Sequence, residues 1–239
     1  MESFADRAGI QSPQSFLTQR GVDGIIIAPQ GEDSGHLRTL ATTVPLVFVD
    51  RTVDGFEVPS VTSDNAQGID QAVAHLADRG HTRIGYIGGP RSISTGRARH
   101  DAFVRAVARH GLDADPGRIT SGDFRSANGS TAAERLLSGQ RPPTALLAAD
   151  SPMAVGALGA LRRRGLRIGA DIDLVAFDDI EWFSELDPPL TVVSHDAQAM
   201  GSTAMRLLLD VIEGRTPESV ILPAHLVVRE SSGGARRPA

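Results

Sequence analysis

The chain has 239 residues, 41% of them hydrophobic and only 4% aromatic, with a formal net charge of −5. That is enough for one large or two modest domains with a core built mainly from Ala, Val, Leu and Ile. The acidic balance excludes a chain drawn as a whole to nucleic acid or an anionic membrane, and the lack of cysteine excludes disulfides and thiolate metal sites.

In chain order, short apolar runs alternate with amphipathic stretches. The opening MESFADRAGIQSPQSF has neither the basic nor the apolar region of a signal peptide. VDGIIIA (22–28) and VPLVFVD (44–50) read as strands covered on both faces, as in parallel sheets. DNAQGIDQAVAHLADRG (64–80) reads as a helix with Ile69, Val73, Leu76 and Ala77 on one face. Asp64 or Asn65 caps its start, and Gly80 stops it. RIGYIGG (83–89) is the next strand, and His81 before it is expected to make a backbone hydrogen bond. TGRARHDAFVRAVARHG (95–111) gives a helix with a stripe of Ala98, Ala102, Phe103, Ala106 and Val107. TALLAAD (144–150) is a strand, followed by a helix in DSPMAVGALGALRRRG, capped by Asp150 or Ser151 and closed by three arginines before Gly165. IDLVAFD (172–178) is a further strand, and DAQAMGSTAMRLLLDVIEG (196–214) a last long helix. No window approaches about 18 consecutive apolar residues, so no membrane span is expected. The tail SSGGARRPA (231–239) is expected to be disordered.

This alternation predicts a doubly wound α/β architecture, in which ligands sit beyond the carboxyl ends of the strands. The loops there carry Pro29 and Gln30, Asp50 and Arg51, Pro90 to Ser94, Asp123 and Phe124, Asp150, and Asp178 with Asp179. Adjacent aspartates on an extended strand face opposite ways, so Asp178 and Asp179 form a dyad only if the backbone turns between them. The plainer reading puts one acid into the cleft and the other at a turn. The seven histidines are scattered and form no metal-ligand spacing. Ser194, His195 and Asp196 are consecutive, whereas triad members meet through the fold. GYIGGP matches neither dinucleotide nor P-loop spacing. No catalytic residue, metal or cofactor is expected.

Several segments together resemble the effector-binding core of lactose-repressor-like (LacI/GalR) transcription factors. They are QRGVDGIII (19–27), VPLVFVDR, HLADRGHTRIGYIGGP (75–90), RARHDAFVRAV (97–107), PTALLAADSPMAVGALGALRRRGL (143–166), DIDLVAFDDIEWFSELDPPLTVV (171–193) and LPAHLVVRES (222–231). The resemblance implies a periplasmic-binding-protein-like fold. Two doubly wound parallel-sheet subdomains are joined by three crossing segments, with a small effector held between them. It places residues 1–80 and 196–213 in the first subdomain and 81–193 and 219–230 in the second. It implies a cytoplasmic homodimer, with no membrane partner, whose core modulates operator binding. The helix-turn-helix and the first strand–helix unit have no counterpart here, so operator DNA is expected as a partner only through a missing N-terminal domain.

The same resemblance assigns effector contacts to Arg99, Asp178, Phe124 and Gln67. The guanidinium supplies donors, the carboxylate an acceptor and the ring a flat wall, as a sugar or nucleoside face needs. The competing reading is that Arg99 and Asp178 pair with each other and Phe124 is core. Ala149, Ala28 and Ala176 depart from the family pattern, and Ala149 and Ala28 stand where polar contacts occur. The alternatives to a regulator are a solute-binding protein for sugar transport and an α/β enzyme using Asp178 and Asp179.

Overall fold

The computed structural model describes residues 21–30 and 35–233. They divide into two compact units, with chain crossings between Thr62 and Ser63, Asp196 and Ala197, and Ile221 and Leu222.

The first unit has a four-stranded sheet in the order β1 (Ile25–Ile27), β2 (Leu46–Val49), β3 (Ser60–Ser63), β9 (Val220–Leu222). β1, β2 and β3 are parallel, with Ile25 opposite Leu46 and Phe48 opposite Ser60. Helix α1 (Gly35–Ala41) buries Leu37 and Leu40 against Val44, Leu46 and Phe48. Helix α6 (Ala197–Ile212) buries Met200, Ala204, Leu207 and Leu208, as its apolar stripe predicts. The expected gap at the start of this subdomain falls on residues 1–20, outside the described residues.

The second unit has a six-stranded sheet in the order β10-β8-β7-β6-β4-β5. The strands are β4 (Ile84–Gly88), β5 (Ile119–Ser121), β6 (Ala145–Ala148), β7 (Asp173–Phe177), β8 (Thr191–His195) and β10 (Ala224–Val227). All pairings are parallel except β10 on β8. Alternate residues feed two cores. Leu146, Ala148, Leu174, Ala176 and Val192 face α4 (Ser126–Leu137) and α5 (Ser151–Arg163). Ala145, Leu147, Val175, Phe177 and Val193 face α2 (Asn65–Asp78) and α3 (Ser94–Arg109). The near-continuous apolar strands are explained by this cover on both faces. Small residues let α4 and α5 approach closely: a side chain at Gly156 would meet Ser126 O at 1.9 Å.

Three expectations need correction. α2 was placed in the first subdomain by the boundary at residue 80; it packs in the second unit, because its Ile69, Val73 and Leu76 are fully buried with β4, β7 and α3. Residues 219–221 belong with the first unit, where Ser219 Oγ accepts from Ser60 N at 3.0 Å. The tail is not disordered from residue 231. Ser231 and Ser232 are fully buried in α7 (Glu230–Gly233), where Ser231 Oγ donates to Leu174 O and accepts from Thr191 N, both at 2.7 Å. Residues 234–239 lie outside the described residues.

Candidate ligand site

β4 is the switch point of the second sheet. The chain moves from β4 to β5 on one side and returns through α4 to β6 on the other. A crevice opens at the carboxyl ends of such a pair. Arg99 enters it from the second turn of α3 and Asp178 from the residue after β7.

Arg99 is 3% exposed, and two of its N–H donors are committed. Nε donates to Asn65 Oδ1 at 2.7 Å and Nη1 to Ala149 O at 2.6 Å. Its guanidinium carbon lies 3.6 Å from the centroid of the Phe177 ring, a cation–π contact in a desolvated setting. Nη2 faces Asp178 Oδ1 at 3.7 Å, a distance for ionic attraction but not for a hydrogen bond. Both readings of the pair are therefore partly met: the two side chains attract, but each keeps unsatisfied hydrogen-bonding capacity.

Asp178 has φ 73, so the chain turns where a dyad would have to form. Its N–H still donates to Val193 O, holding it to the sheet. Asp179 points elsewhere, into a bidentate pair with Arg229 at 3.0 and 2.7 Å. The two acids thus have separate partners, and Asp179 closes the turn onto the C-terminal segment.

Among the described residues, three non-glycine residues have left-handed backbones: Asp50, Phe124 and Asp178. Each follows a strand, β2, β5 and β7 respectively. Aspartate tolerates this region; for a bulky aromatic it is an outlier that must be held by its surroundings. Phe124 uses it to lay its ring over Gly89, where a side chain would meet Phe124 Cε1 at 2.1 Å. Phe124 is half-buried against the α4–α5 core, so it is both wall and core margin.

Gln67 is the expected residue that stands apart. It lies in the second unit rather than the first, and its Oε1 accepts from Ala224 N at 3.3 Å. That bond ties α2 to β10. The polar residue meeting Arg99 from α2 is Asn65, two positions earlier, which the sequence suggested only as a possible cap. Asp64 supplies the cap, accepting from Gln67 N at 2.9 Å.

Sequence reasoning also missed His195 and Phe177. His195 Nδ1 lies 3.7 Å from Asp178 Oδ1 and, among the described residues, has no hydrogen-bond partner. The strand alternation of β7 placed Phe177 on the α3 side, but nothing local put Arg99 over it. Ala149 was read as a lost polar contact; its carbonyl holds Arg99 instead. Beneath the site, the buried Tyr86 ring stacks on Phe103 at 4.6 Å between centroids. Burial pushes its hydroxyl well above the usual phenol range, against the opposing pull of Arg99.

At the other end of the sheet, His81 is fully enclosed. Its N–H makes the expected backbone bond to Leu76 O at 3.1 Å, and its ring also reaches Thr144 Oγ1 at 2.8 Å and Asp173 Oδ2 at 2.9 Å. Arg79 Nε donates to the same carboxylate at 3.1 Å. Asp150 caps α5 through Met153 N. Among the described residues, no group of three or more His, Asp or Glu is placed to hold a metal. No described helix is long and apolar enough to cross a membrane.

Comparison with known proteins gives the relatives of this chain. The periplasmic binding protein-like domain family matches residues 73–232. The transcriptional repressor CytR of Escherichia coli K12 is 35% identical over 190 residues, covering 79% of this chain and 56% of that protein. The chain thus spans a little over half the length of that relative. Among solved structures, a LacI transcriptional regulator from a Rhodococcus species has a TM-score of 0.85 at 30% identity, over 94% of this chain and 83% of that one. The complex of the transcriptional regulator CelR with cellobiose has a TM-score of 0.83 at 32% identity, over 91% of this chain and 68% of that one.

Proposed function

This chain belongs to the LacI family of regulators with a periplasmic-binding-protein-like core, and on that premise we propose that it binds a small, uncharged, hydroxylated effector over Arg99, Asp178 and Phe124. The effector shifts the regulator between arrangements of different operator affinity, which requires that it bind those arrangements unequally. The regulator acts in the cytoplasm as a homodimer and reads DNA through a helix-turn-helix unit of the kind its relatives are named for. Asp178 and Asp179 carry no catalysis.

The observation that carries this reading is the 3.7 Å gap between Arg99 Nη2 and Asp178 Oδ1. A hydroxyl seated beside the pair, within hydrogen-bond reach of both atoms, accepts from the guanidinium and donates to the carboxylate. An anionic ligand is a poorer fit. Two donors of Arg99 are already engaged, which leaves fewer for the two-pronged clamp that carboxylates and phosphates favour. Asp178 adds a repelling charge. The cellobiose bound by the CelR relative is a ligand of the proposed class.

The test is a thermal-shift screen of neutral sugars and nucleosides beside their phosphorylated counterparts. A ligand that binds only the native state raises the melting temperature. Stabilisation by phosphorylated compounds alone would reject the assignment. So would full stabilisation of both Arg99→Ala and Asp178→Ala.

A further inference from the structure

The start of α2 joins the site to two of the three places where the chain crosses between units. Asn65 is 9% exposed and uses both ends of its amide. Oδ1 accepts from Arg99 Nε at 2.7 Å, and Nδ2 donates to Ser63 O at 3.1 Å. Ser63 is the first residue after one crossing. The adjoining Asp64 N–H donates at 2.7 Å to the carbonyl of Leu222, the first residue after another. One helical turn on, Gln67 Oε1 accepts from Ala224 N at 3.3 Å. Three polar residues at the start of α2, the cap Asp64 with Asn65 and Gln67, thus hold a guanidinium and two connecting strands together.

We propose that Asn65 is a positioning residue that couples the orientation of Arg99 to the two connecting strands at Ser63 and Leu222. An amide suits the role because it offers an acceptor to the cation and a donor to the strand at once, which neither a carboxylate nor a hydrocarbon does. Arg99 cannot swing toward a ligand without moving Oδ1, and the same rigid amide plane carries Nδ2. Movement of Ser63 and Asp64 then reaches Leu222 through the Asp64 N–H. The inference rests on Arg99 being the ligand contact proposed above, and it supplies the step by which occupancy would reach the connectors.

The experiment is amide hydrogen exchange on the ligand-free 239-residue protein and its variants. Arg99→Lys removes the Nε donor. It should speed exchange of the Asp64 and Ala224 amides about tenfold, the loss of roughly one hydrogen bond. The Asp113 and Thr144 amides, bonded to Thr82 O and Arg83 O, should stay protected. In an Asn65→Ala background, Arg99→Lys should add nothing, as a double-mutant cycle demands of a serial link. If Asn65→Ala does not fold, Asn65→Asp serves, because it keeps the acceptor for Arg99 and deletes the donor to Ser63. Three results each overturn the proposal: no change in Arg99→Lys, equal acceleration at all four amides, or an undiminished effect in the Asn65 background. No ligand enters this test, so it can fail while the thermal-shift screen succeeds, and the reverse.

Discussion

Arg99 and Asp178 lie 3.7 Å apart, Nη2 to Oδ1, with the cation held on three other sides by Asn65, Ala149 O and the Phe177 ring. A fully engaged pair would be structural. A pair this loosely closed, beyond the carboxyl ends of β4 and β7, leaves both groups able to bond a further partner, which is the basis of the ligand contact proposed above.

Asp178→Asn should keep the fold and lose the ligand. Asparagine tolerates the left-handed backbone that Asp178 adopts, so the turn survives. Losing a charged acceptor for a hydroxyl should weaken binding by about 2 kcal/mol, roughly thirtyfold. Calorimetric titration with the sugar or nucleoside found by thermal shift measures it, and affinity within about threefold of wild type would contradict it.

Gly89→Ala should displace Phe124. The added methyl would sit 2.1 Å from Phe124 Cε1, and that ring stands on an already strained backbone. Overpacking of this kind costs about 1–3 kcal/mol by chemical denaturation. Phe124→Gly removes both the clash and the strain. In that background the cost of Gly89→Ala should largely vanish, because the two residues share one space.

Asp173 should contribute stability at neutral pH that is lost in acid. Burial opposes its ionisation, but hydrogen bonds from His81 and Arg79 outweigh that and hold its carboxyl below the ordinary value of 3.8. A carboxylate with a depressed folded-state pKa stabilises fully above its unfolded value, and the contribution falls away as pH drops through the folded one. Asp173→Asn should therefore cost about 3 kcal/mol at pH 7, since it removes the buried charge that His81 and Arg79 both hold. The gap between variant and wild type should narrow below about pH 4. A gap that stays constant from pH 7 to pH 3 in denaturant titrations would show that the charge does not matter.

Ser231→Ala should destabilise the second unit although it lies near the chain end. The hydroxyl serves Leu174 O and Thr191 N in a fully buried setting. Its removal leaves both without that partner, at about 1–3 kcal/mol. A melting temperature equal to wild type would mean that water replaces it.

The strands and helices that build the site were legible along the chain. IGYIG, ALLA and DLVAF show the unbroken apolar character of doubly covered strands, and most of each predicted stripe is buried, Ile69, Val73 and Leu76 in α2 and Ala102, Phe103, Ala106 and Val107 in α3, with Ala77 and Ala98 only partly so. Arg99, Phe124 and Asp178 were expected from the resemblance, and Phe124 and Asp178 also from their places after strands; the structure brings Arg99 and Asp178 face to face, with Phe124 on the loop after β5. Gln67 was displaced by Asn65 because residues at a helix start differ in direction by about 100° per position, so two positions decide whether a side chain meets Arg99 or β10.

Local pattern by itself determined part of what is periodic or capped: β1, β2, β4, β6 and β7, the helices α2, α3, α5 and α6, the turn at Gly80 and the Asp150 cap, but not β3, β5, β8, β9, β10, α1 or α4. Only the tertiary structure decided which unit α2 joins, that Asn65 grips an arginine 34 residues away, and that Ala149 contributes through its carbonyl. The reason is physical. An apolar stripe states that a face must be buried but not against what, since hydrophobic contact has no direction. A side-chain hydrogen bond is directional, but its partner is chosen by the packing of elements distant in sequence. Backbone carbonyls are present at every residue, so which of them faces a buried guanidinium is settled only when the sheet and helices have closed around it.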